Sequence, residues 1–585
     1  MSRKFILVSI LISSLFLMFN AASGQTLPQA IQWIPQDAII VLEISKPKAL
    51  LELFTNDQTL ATIKELPFYK QQLTQPKFQE FQNIIKYIET TLGTDWRTAL
   101  SKLTGAGITL AVYPEDTVIL IIDTEDKQIL ERFHEFFLNV ARSEAEKKGQ
   151  YNIVKSKEYD GLTAWTFDGK EEHTIIGKRF ILTNKSKNLK NILQYRSQMN
   201  KASLATNLTY QTAKRTVKPD SIATVFVNLK PLMGLPQLAQ VFKQQNNNPL
   251  AALAFAGILE ATRNSNWLAL GLNIEDKTLV FQASVDGKTI TQSSPAAFAL
   301  PKTKNEGPLP NLSVPRRIAA LSIYRDLHQF YSAKDELFPE RTSGLIFFEN
   351  MMGIFFSGRD LTEEVLAETN PEIRFVVAEQ KYDPAKGIPQ IKLPTFAAIL
   401  RLRNPEKFNE VAEEAWQKAL GLINFTRGQQ AMQGLIIDRP VHNGITYSMA
   451  YFSTSGIDNK NNLEQRFNIR PALAMPGEYL VLSSTDDLAR DLIDTLNQET
   501  QQDVKPIAKT HSIVEIDTEQ LASILKSNRD TLVRNDMVKK GSTQEKAESN
   551  IDVLITLIKL IKHVKLDLGT HDNLTQAHLN IKLNL

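Results

Sequence analysis

The sequence predicts an α+β protein with two tandem duplicated lobes, each a mainly antiparallel sheet packed with amphipathic helices. Segments that begin at Gly93 and Gly358 align almost without gaps, and their flanking segments follow in the same order. Strands that alternate apolar with other residues predict sheets with one buried face, which is typical of antiparallel pairing. At 585 residues the chain is also too long for a single core.

Each lobe opens on a strand led by proline, at residues 34–42 in the first half and 314–322 in the second. A short helical pattern follows, and later an amphipathic helix whose apolar residues recur at spacings of three and four. These residues are Ile129, Leu130, Phe133, Phe136, Phe137 and Val140 in the first half, and Phe408, Val411, Ala412, Ala415, Trp416 and Ala419 in the second. The shared order predicts two similar lobes.

Turn signals of one type mark equivalent places in both halves. Asp160 is followed by Gly161, and Asn443 by Gly444, each pair between β-prone runs. Both dipeptides suit the positive φ angles of a two-residue hairpin. A strand-to-helix unit comes next, and its strands at 177–184 and 477–484 align with each other.

Each lobe closes with a strand, a very apolar helix and a hairpin. The strands are 221–227 and 512–516, and the helices 250–259 and 551–561. In the hairpins apolar residues fall at every second position, so one face is expected to be buried and the other largely solvated. In the first hairpin these residues are Leu268, Leu270, Leu272 and Ile274, then Leu279, Phe281, Ala283 and Val285.

Residues 1–24 predict a secretory signal peptide. Arg3 and Lys4 precede an apolar stretch at 5–19, and small residues follow it. The alternative is an uncleaved anchor, but the stretch is shorter than the roughly 20 residues that a spanning helix needs. We expect an exported protein, periplasmic or extracellular, with a first lobe at 28–287, a proline-rich linker at 288–314 and a second lobe at 315–585.

The composition excludes several classes of protein. Cleavage would remove two of the 67 basic residues, which leaves the mature chain almost neutral against its 64 acidic residues. Such a balance gives no overall field to attract nucleic acid or an anionic lipid surface. The chain has no cysteine, so it has no disulfide and no thiolate metal site. No segment after the signal predicts a transmembrane span.

Reactive motifs are absent from the sequence. The eight histidines show no metal-ligand spacing, and His134 on an apolar helix face is typical of a structural histidine. Ser45 and Lys48 have the spacing of penicillin-recognising enzymes, but the companion Lys-Thr-Gly is missing. Carboxylate clusters precede or open predicted helices, where capping explains them. We therefore expect no metal, no cofactor and no catalytic site, and interpret the chain as a non-enzymatic protein.

The two closing helices are the candidate binding elements. If each covers the concave face of a curved sheet, the space beneath could hold a lipid or another apolar ligand. The alternative is that they fill the core against the adjacent hairpin, as apolar helices usually do. The candidate lining residues are Leu250, Leu253, Phe255, Ile258, Leu554, Leu557, Ile558 and Ile561.

Short motifs give the chain a family resemblance. They are Pro-x-Asp-Ala at 35–38, Tyr-Asp-Gly at 159–161 and Ser-Ser-x-x-x-Leu at 483–488, behind a signal peptide. The pattern resembles a family of exported bacterial proteins that share a domain of unknown function. The resemblance implies repeated α+β units but no activity and no site residues.

Three functional hypotheses follow. The first is a binding protein that holds an envelope component, such as another envelope protein, through its duplicated lobes. The second is a carrier of a lipid or other apolar ligand between sheet and helices. The third is a hydrolase with an unrecognised site, which predicts that polar residues converge in a pocket of one lobe that its twin lacks. The sequence alone does not specify an oligomeric state.

Overall fold

The computed structural model describes residues 28–584, except 66–68, 70–72, 74–75, 148, 168, 198–201, 235–248, 287–293, 295, 304, 384–387, 453–466, 503 and 572–573. The predicted signal peptide at 1–24 lies outside the described residues. The chain forms two compact units. The first contains residues up to Gln240 and Ser265–Asp286, and the second contains Val241–Asn264 and Gly287–Asn584. The described residues 249–264 therefore belong to the second unit, although the sequence places them in the first lobe.

The first unit is built on an antiparallel sheet. Its strands are β1 (Ile40–Ile44), β2 (Gly107–Tyr113), β3 (Thr117–Asp123), β4 (Lys155–Tyr159), β5 (Leu162–Thr166), β6 (Glu172–Ile176), β7 (Arg179–Thr183), β8 (Ala223–Asn228), β9 (Trp267–Glu275) and β10 (Thr278–Asp286). They pair in the order β10-β9-β8-β1-β2-β3-β7-β6-β5-β4.

The second unit has a sheet of the same kind. Its strands are β11 (Arg317–Tyr324), β12 (Thr369–Ala378), β13 (Thr395–Leu402), β14 (Leu435–Asp438), β15 (Val441–His442), β16 (Ile445–Thr446), β17 (Ser448–Phe452), β18 (Ala472–Ala474), β19 (Tyr479–Ser483), β20 (Thr510–Asp517), β21 (Ile561–His571) and β22 (Leu574–Leu583). β15 pairs only with β16. The others pair in the order β22-β21-β20-β11-β12-β13-β19-β18-β17-β14. This order repeats that of the first unit strand for strand, as a duplicated segment would.

Helices surround both sheets, so the α+β prediction is confirmed. Those of the first unit are α1 (Pro47–Thr55), α2 (Asp57–Glu65), α3 (Pro76–Leu92), α4 (Trp96–Thr104), α5 (Lys127–Glu146), α6 (Ser186–Ser197), α7 (Leu208–Arg215) and α8 (Leu229–Met233). Those of the second are α9 (Pro249–Asn264), α10 (Leu327–Ser332), α11 (Lys334–Leu337), α12 (Thr342–Phe355), α13 (Pro405–Gln429), α14 (Asp486–Gln501), α15 (Thr518–Ser527), α16 (Arg529–Lys540) and α17 (Gln544–Lys559).

Local chemistry explains several of these elements. Asp126 caps α5 by accepting hydrogen bonds from the backbone N–H groups of Gln128 and Ile129. Asp160 and Gly161 both have positive φ, at 49° and 77°, so the first predicted hairpin turn forms between β4 and β5. The second turn signal has the same backbone conformation and joins β15 to β16.

The closing hairpin of the first unit is covered on both faces. In β9 the four residues Trp267, Ala269, Gly271 and Asn273 are buried, whereas the leucines between them are half-buried. The expectation of one buried and one largely solvated face is therefore wrong for this strand. Small side chains occupy the more tightly covered face, where Val217 packs directly on Gly271. Hydrophobicity alone did not identify that face.

Part of the predicted linker lies in the core of the second unit. Leu309 and Leu312 are 1% and 2% exposed and belong to a cluster with Val376, Val481 and residues of α14. Prolines in this segment prevent regular structure, but its apolar residues still fill space beside β12 and β19. The segment 309–314 is part of a folded unit.

Gly307 offers a test of this packing. A Cβ atom at Gly307 would lie 2.1 Å from the carbonyl oxygen of Ile507, a backbone atom that cannot move aside easily. We expect Gly307→Ala to reduce the free energy of unfolding of the second unit by about 2 kcal/mol, as overpacking does. Chemical denaturation measures this change. Gly344→Ala is the control, because no atom lies within 4 Å of its added methyl group, and it should leave stability unchanged or slightly raised.

Candidate functional site

The predicted lining residues of the first closing helix are only partly described. The side chains of Leu250 and Phe255 lie outside the described parts of the structure. Leu253 packs against the buried cluster that contains Phe298 and Phe330 in the second unit, and Ile258 is half-buried. In the described part, α9 contributes Ala252 and Leu253 to this cluster.

The second closing helix packs on neighbouring helices. In α17, Ile551 and Ile555 are buried in a cluster with Val533 of α16. The predicted lining residues Leu554 and Leu557 are 44% and 47% exposed, whereas Ile558 and Ile561 are half-buried. None of the eight predicted residues lines the two cavities described below. Their role in ligand binding stays a prediction.

A small apolar cavity lies between sheet and helices in the first unit. Its volume is about 30 Å³, roughly the share of one water molecule. A lipid chain is far larger than this space. The lining residues are Leu103, Leu120, Ile122, Leu130, Phe133, His134, Phe137 and Phe180.

His134 belongs to a buried histidine pair in this region. Its Nε2 lies 3.0 Å from Nε2 of His173, and the ring of Trp165 packs at 4.5 Å from its own ring. Burial lowers the pKa of His134 to about 4. Burial, with a smaller effect of His134, lowers the pKa of His173 to about 3. Both rings are neutral at pH 7, so one must donate and the other accept in their shared hydrogen bond.

The serine and lysine of the penicillin-type motif do not form a reactive pair. Ser45 Oγ donates at 2.6 Å to the carbonyl oxygen of Ser221, so its proton is held by the backbone. Lys48 lies 3.8 Å from Glu52 on the same helix. Ser45 therefore connects β1 to the β8 region, a structural role.

The carboxylate clusters cap helices or bind arginines. Asp360 accepts from two backbone N–H groups at the start of a helical turn, as predicted. Asp486 and Asp487 instead bind the guanidinium groups of Arg470 and Arg490, and Thr485 caps α14. Within the described residues, no three His, Asp or Glu side chains are grouped to hold a metal ion.

An exposed apolar surface lies on α12 of the second unit. Phe347 and Ile354 are 71% and 70% exposed, and Ile346 is 52% exposed. The only charged residue of this helix is Glu349, which lies 3.3 Å from Lys334. A helix that is apolar around its whole circumference normally lies inside a protein or a membrane. On α12 these side chains instead face outward.

The neighbouring helix α13 extends this surface. Ser357, just after α12, hydrogen bonds with Glu414 and Lys418 of α13. Leu422 lies one turn beyond Lys418 on the same helix face and is 52% exposed, and Phe425 is 63% exposed. We call Ile346, Phe347, Ile354, Leu422 and Phe425 the apolar helix face. Exposed apolar groups, where they are contiguous, mark protein or membrane interaction sites.

Among the residues that the structure describes, no helix combines the length and hydrophobicity needed to cross a bilayer. α12 has 14 residues, whereas a spanning helix needs roughly 20.

Comparison with known proteins identifies the family. Residues 4–332 match the family model described as Protein of unknown function (DUF3352). The chain belongs to this family. This match confirms the family resemblance inferred from the short sequence motifs. Because the family is described as of unknown function, membership assigns no activity to this DUF3352 chain. No curated protein matches the chain.

Solved structures with some similarity to this DUF3352 chain are crystal forms III, I and IV of TP0453. Their sequences are 8%, 9% and 9% identical, over 45%, 45% and 44% of this chain and 81%, 80% and 79% of theirs. The TM-scores are 0.23, 0.22 and 0.23. Similarity at this level does not establish a shared fold.

Sequence reasoning overlooked the apolar helix face. The sequence does contain a signal for it. Residues 345–356 have a single charged residue, Glu349, and are otherwise mostly leucine, isoleucine, phenylalanine and methionine. Such a run predicts a buried helix as readily as an exposed one. The exposure of Phe347 becomes visible only once its neighbours are placed.

Proposed function

We propose that this protein is an exported, non-enzymatic binding protein that attaches to the lipid surface of the cell envelope through its apolar helix face. The observation that carries the proposal is the outward exposure of Phe347 and Ile354, at 71% and 70%, on a helix with one charge. Fully burying such a side chain contributes roughly 1.5–3 kcal/mol. Several of them inserting together would give reversible attachment.

The chemistry of this face favours acyl chains as its partner. Glu349 is already paired with Lys334, so no unpaired charge has to leave water when α12 inserts. The near neutrality of the mature chain predicts that attachment does not depend on anionic headgroups or on salt. A protein partner with a complementary apolar groove is the alternative outcome.

Vesicle flotation tests the proposal with the mature chain from residue 25. We expect binding to phosphatidylcholine vesicles, with similar affinity in 50 mM and 500 mM salt and no more than about a threefold gain when phosphatidylglycerol is added. The variant Phe347→Ser/Ile354→Ser should bind at least about tenfold more weakly, since two inserted side chains are lost. Exposed positions such as these change stability by only about 0.5 kcal/mol, so loss of binding would not reflect unfolding.

Two control variants distinguish binding through the apolar helix face from nonspecific adsorption to vesicles. Val538 on α16 is 84% exposed and Leu208 on α7 is 79% exposed. Val538→Ser and Leu208→Ser should leave vesicle binding unchanged. Wild-type protein that stays with the unbound fraction, or equal binding by the double variant, would refute lipid attachment through α12.

A further inference from the structure

The second unit contains an insertion that the first unit lacks. β2 and β3 are joined by the short turn at 114–116, whereas the corresponding strands β12 and β13 are joined by residues 379–394. The strand order on both sides of this connection is the same in the two units. The longer connection is therefore an addition to one lobe and not a requirement of the fold.

This insertion forms most of a cavity of about 230 Å³. The cavity has room for roughly eight water-sized groups. α15 supplies the rest of the wall. The lining residues are Glu379, Gln380, Tyr382, Ile388, Lys392, Leu393, Ile524 and Ser527.

Two buried or half-buried asparagines hold the described part of the insertion in place. Asn528 accepts a hydrogen bond from the backbone N–H of Lys392 and donates to its carbonyl oxygen, both at 2.8 Å. Asn468 is 3% exposed, accepts from the N–H of Leu393 and donates to the carbonyl oxygen of Ile391. The two asparagines thus bind the N–H and C=O groups of Lys392, the C=O group of Ile391 and the N–H group of Leu393. The wall is therefore preorganised.

Gln380 leaves an unused acceptor at this wall. The residue is 8% exposed, and its Nε2 donates to the carbonyl oxygens of Leu393 and Asn468. These two bonds define which end of the amide is nitrogen. Its Oε1 is buried and accepts no hydrogen bond. No group in the cavity reaches this atom, so Gln380 acts on the site through its two hydrogen bonds, which hold Leu393 in the wall.

Charges of both signs also line the cavity. Glu379 accepts a hydrogen bond from Ser523 at 3.1 Å, and no cation among the described residues pairs with it. Lys392 likewise has no carboxylate partner within the described parts of the chain. The side chains of Ile388, Leu393 and Ile524 supply an apolar part of the wall. The cavity therefore offers an anion, a cation and an apolar surface within a small space.

We propose that this cavity binds a small zwitterion with an apolar side chain, the chemistry of a free apolar amino acid. Its ammonium group would pair with Glu379, and its carboxylate would pair with Lys392. Its side chain would pack on the apolar wall. The cavity volume matches a molecule of this size, and each charged group of such a ligand finds an opposite charge. This binding is independent of lipid attachment through α12.

Calorimetric titration of the mature protein with L-leucine tests the proposal. We expect one site per chain with a Kd between about 10 μM and 1 mM, the range for a small ligand with few contacts. Leucinamide lacks the carboxylate, and 4-methylpentanoate lacks the ammonium group. Each should bind at least about tenfold more weakly, because one charge that lines the cavity then stays unpaired.

Variants then locate the site. Lys392→Met and Glu379→Gln should each weaken leucine binding at least about tenfold. Lys381→Met is the matched control, since Lys381 is exposed on the same insertion and does not line the cavity, and it should bind leucine as the wild type does. Circular dichroism confirms that each variant is folded. Folded wild-type protein that gives no heat with 10 mM leucine, or Lys392→Met protein that binds leucine normally, would overturn the proposal.

Discussion

Lowering the pH from 7 to 5 is expected to reduce the stability of the first unit by roughly 4 kcal/mol through His134 and His173 alone. In the folded unit burial lowers their pKa values from 6.5 to about 4 and about 3. The unfolded chain therefore binds protons below pH 6.5 while the folded unit does not. Stability is complete above pH 6.5 and falls as the pH approaches 4, with roughly 2 kcal/mol lost per histidine at pH 5.

The surroundings of the pair explain why it stays neutral. The rings that pack against His173 belong to Trp165, Phe137, Phe167 and Phe180, and none carries a charge. Nδ1 of His173 is buried without a hydrogen-bond partner. An unpaired neutral ring nitrogen is tolerated better than a buried cation, because desolvation of a full charge costs far more than that of a neutral nitrogen.

Urea unfolding at pH 7, 6 and 5 measures the effect, with tryptophan fluorescence as the signal. Four of the five tryptophans belong to the first unit, so the signal reports mainly on it. The variant His134→Leu/His173→Phe should lose about 4 kcal/mol less than the wild type over this range. His328→Gln is the control, because the side chain of His328 is 39% exposed in the second unit, and it should retain the wild-type pH dependence. Equal slopes for wild type and double variant would refute the explanation.

The sequence was a good guide to the elements of the fold. Period-two runs identified β9 and β10, and Asp160-Gly161 identified the turn between β4 and β5. These signals are local, because each depends on residues that are neighbours along the chain. The burial of residues 309–314 is different. It depends on contacts with β12, β19 and α14, which are distant in the sequence. No local sequence pattern predicts such contacts.

The candidate sites were less predictable for the same reason. The sequence did not identify the residues that line the cavity at 379–394. Gln380 is an ordinary polar residue in the sequence, and its hydrogen bonds to the carbonyl oxygens of Leu393 and Asn468 form only in the folded unit. The exposure of Phe347 likewise depends on where the rest of the chain packs. Surface and cavity features are therefore tertiary, whereas helices and turns are largely local.

Replacing Arg325 with methionine is expected to lower the free energy of unfolding of the second unit by about 3 kcal/mol. The side chain is 1% exposed and lies at the end of β11. Its Nε and one terminal nitrogen donate to the carbonyl oxygens of Leu253 and Ala254 in α9, at 2.6 and 2.9 Å. The other terminal nitrogen donates to the carbonyl oxygens of Tyr324 and His511. One residue thus connects α9 to two strands of the sheet.

Burial of the Arg325 guanidinium affects its own pKa and that of His511. Burial lowers the pKa of Arg325 to about 10, yet the group remains charged at pH 7. The guanidinium also acts on His511, whose pKa is lowered to about 3 by burial first and by this charge second. Methionine would remove the desolvation penalty but leave buried carbonyl oxygens without their donor. Because several charged hydrogen bonds are lost together, we expect the net effect to be destabilising.

Hydrogen exchange with mass spectrometry separates local from global effects of Arg325→Met. Peptides from 249–264 should lose protection more than those from β12 and β13, because α9 loses the donor that holds two of its carbonyl groups. Arg534→Met is the matched control, since Arg534 is exposed on α16 and contacts only Thr531 through its side chain. If α9 stays as protected in Arg325→Met as in Arg534→Met, the packing of its apolar residues against Phe298 and Phe330 holds the helix without the guanidinium.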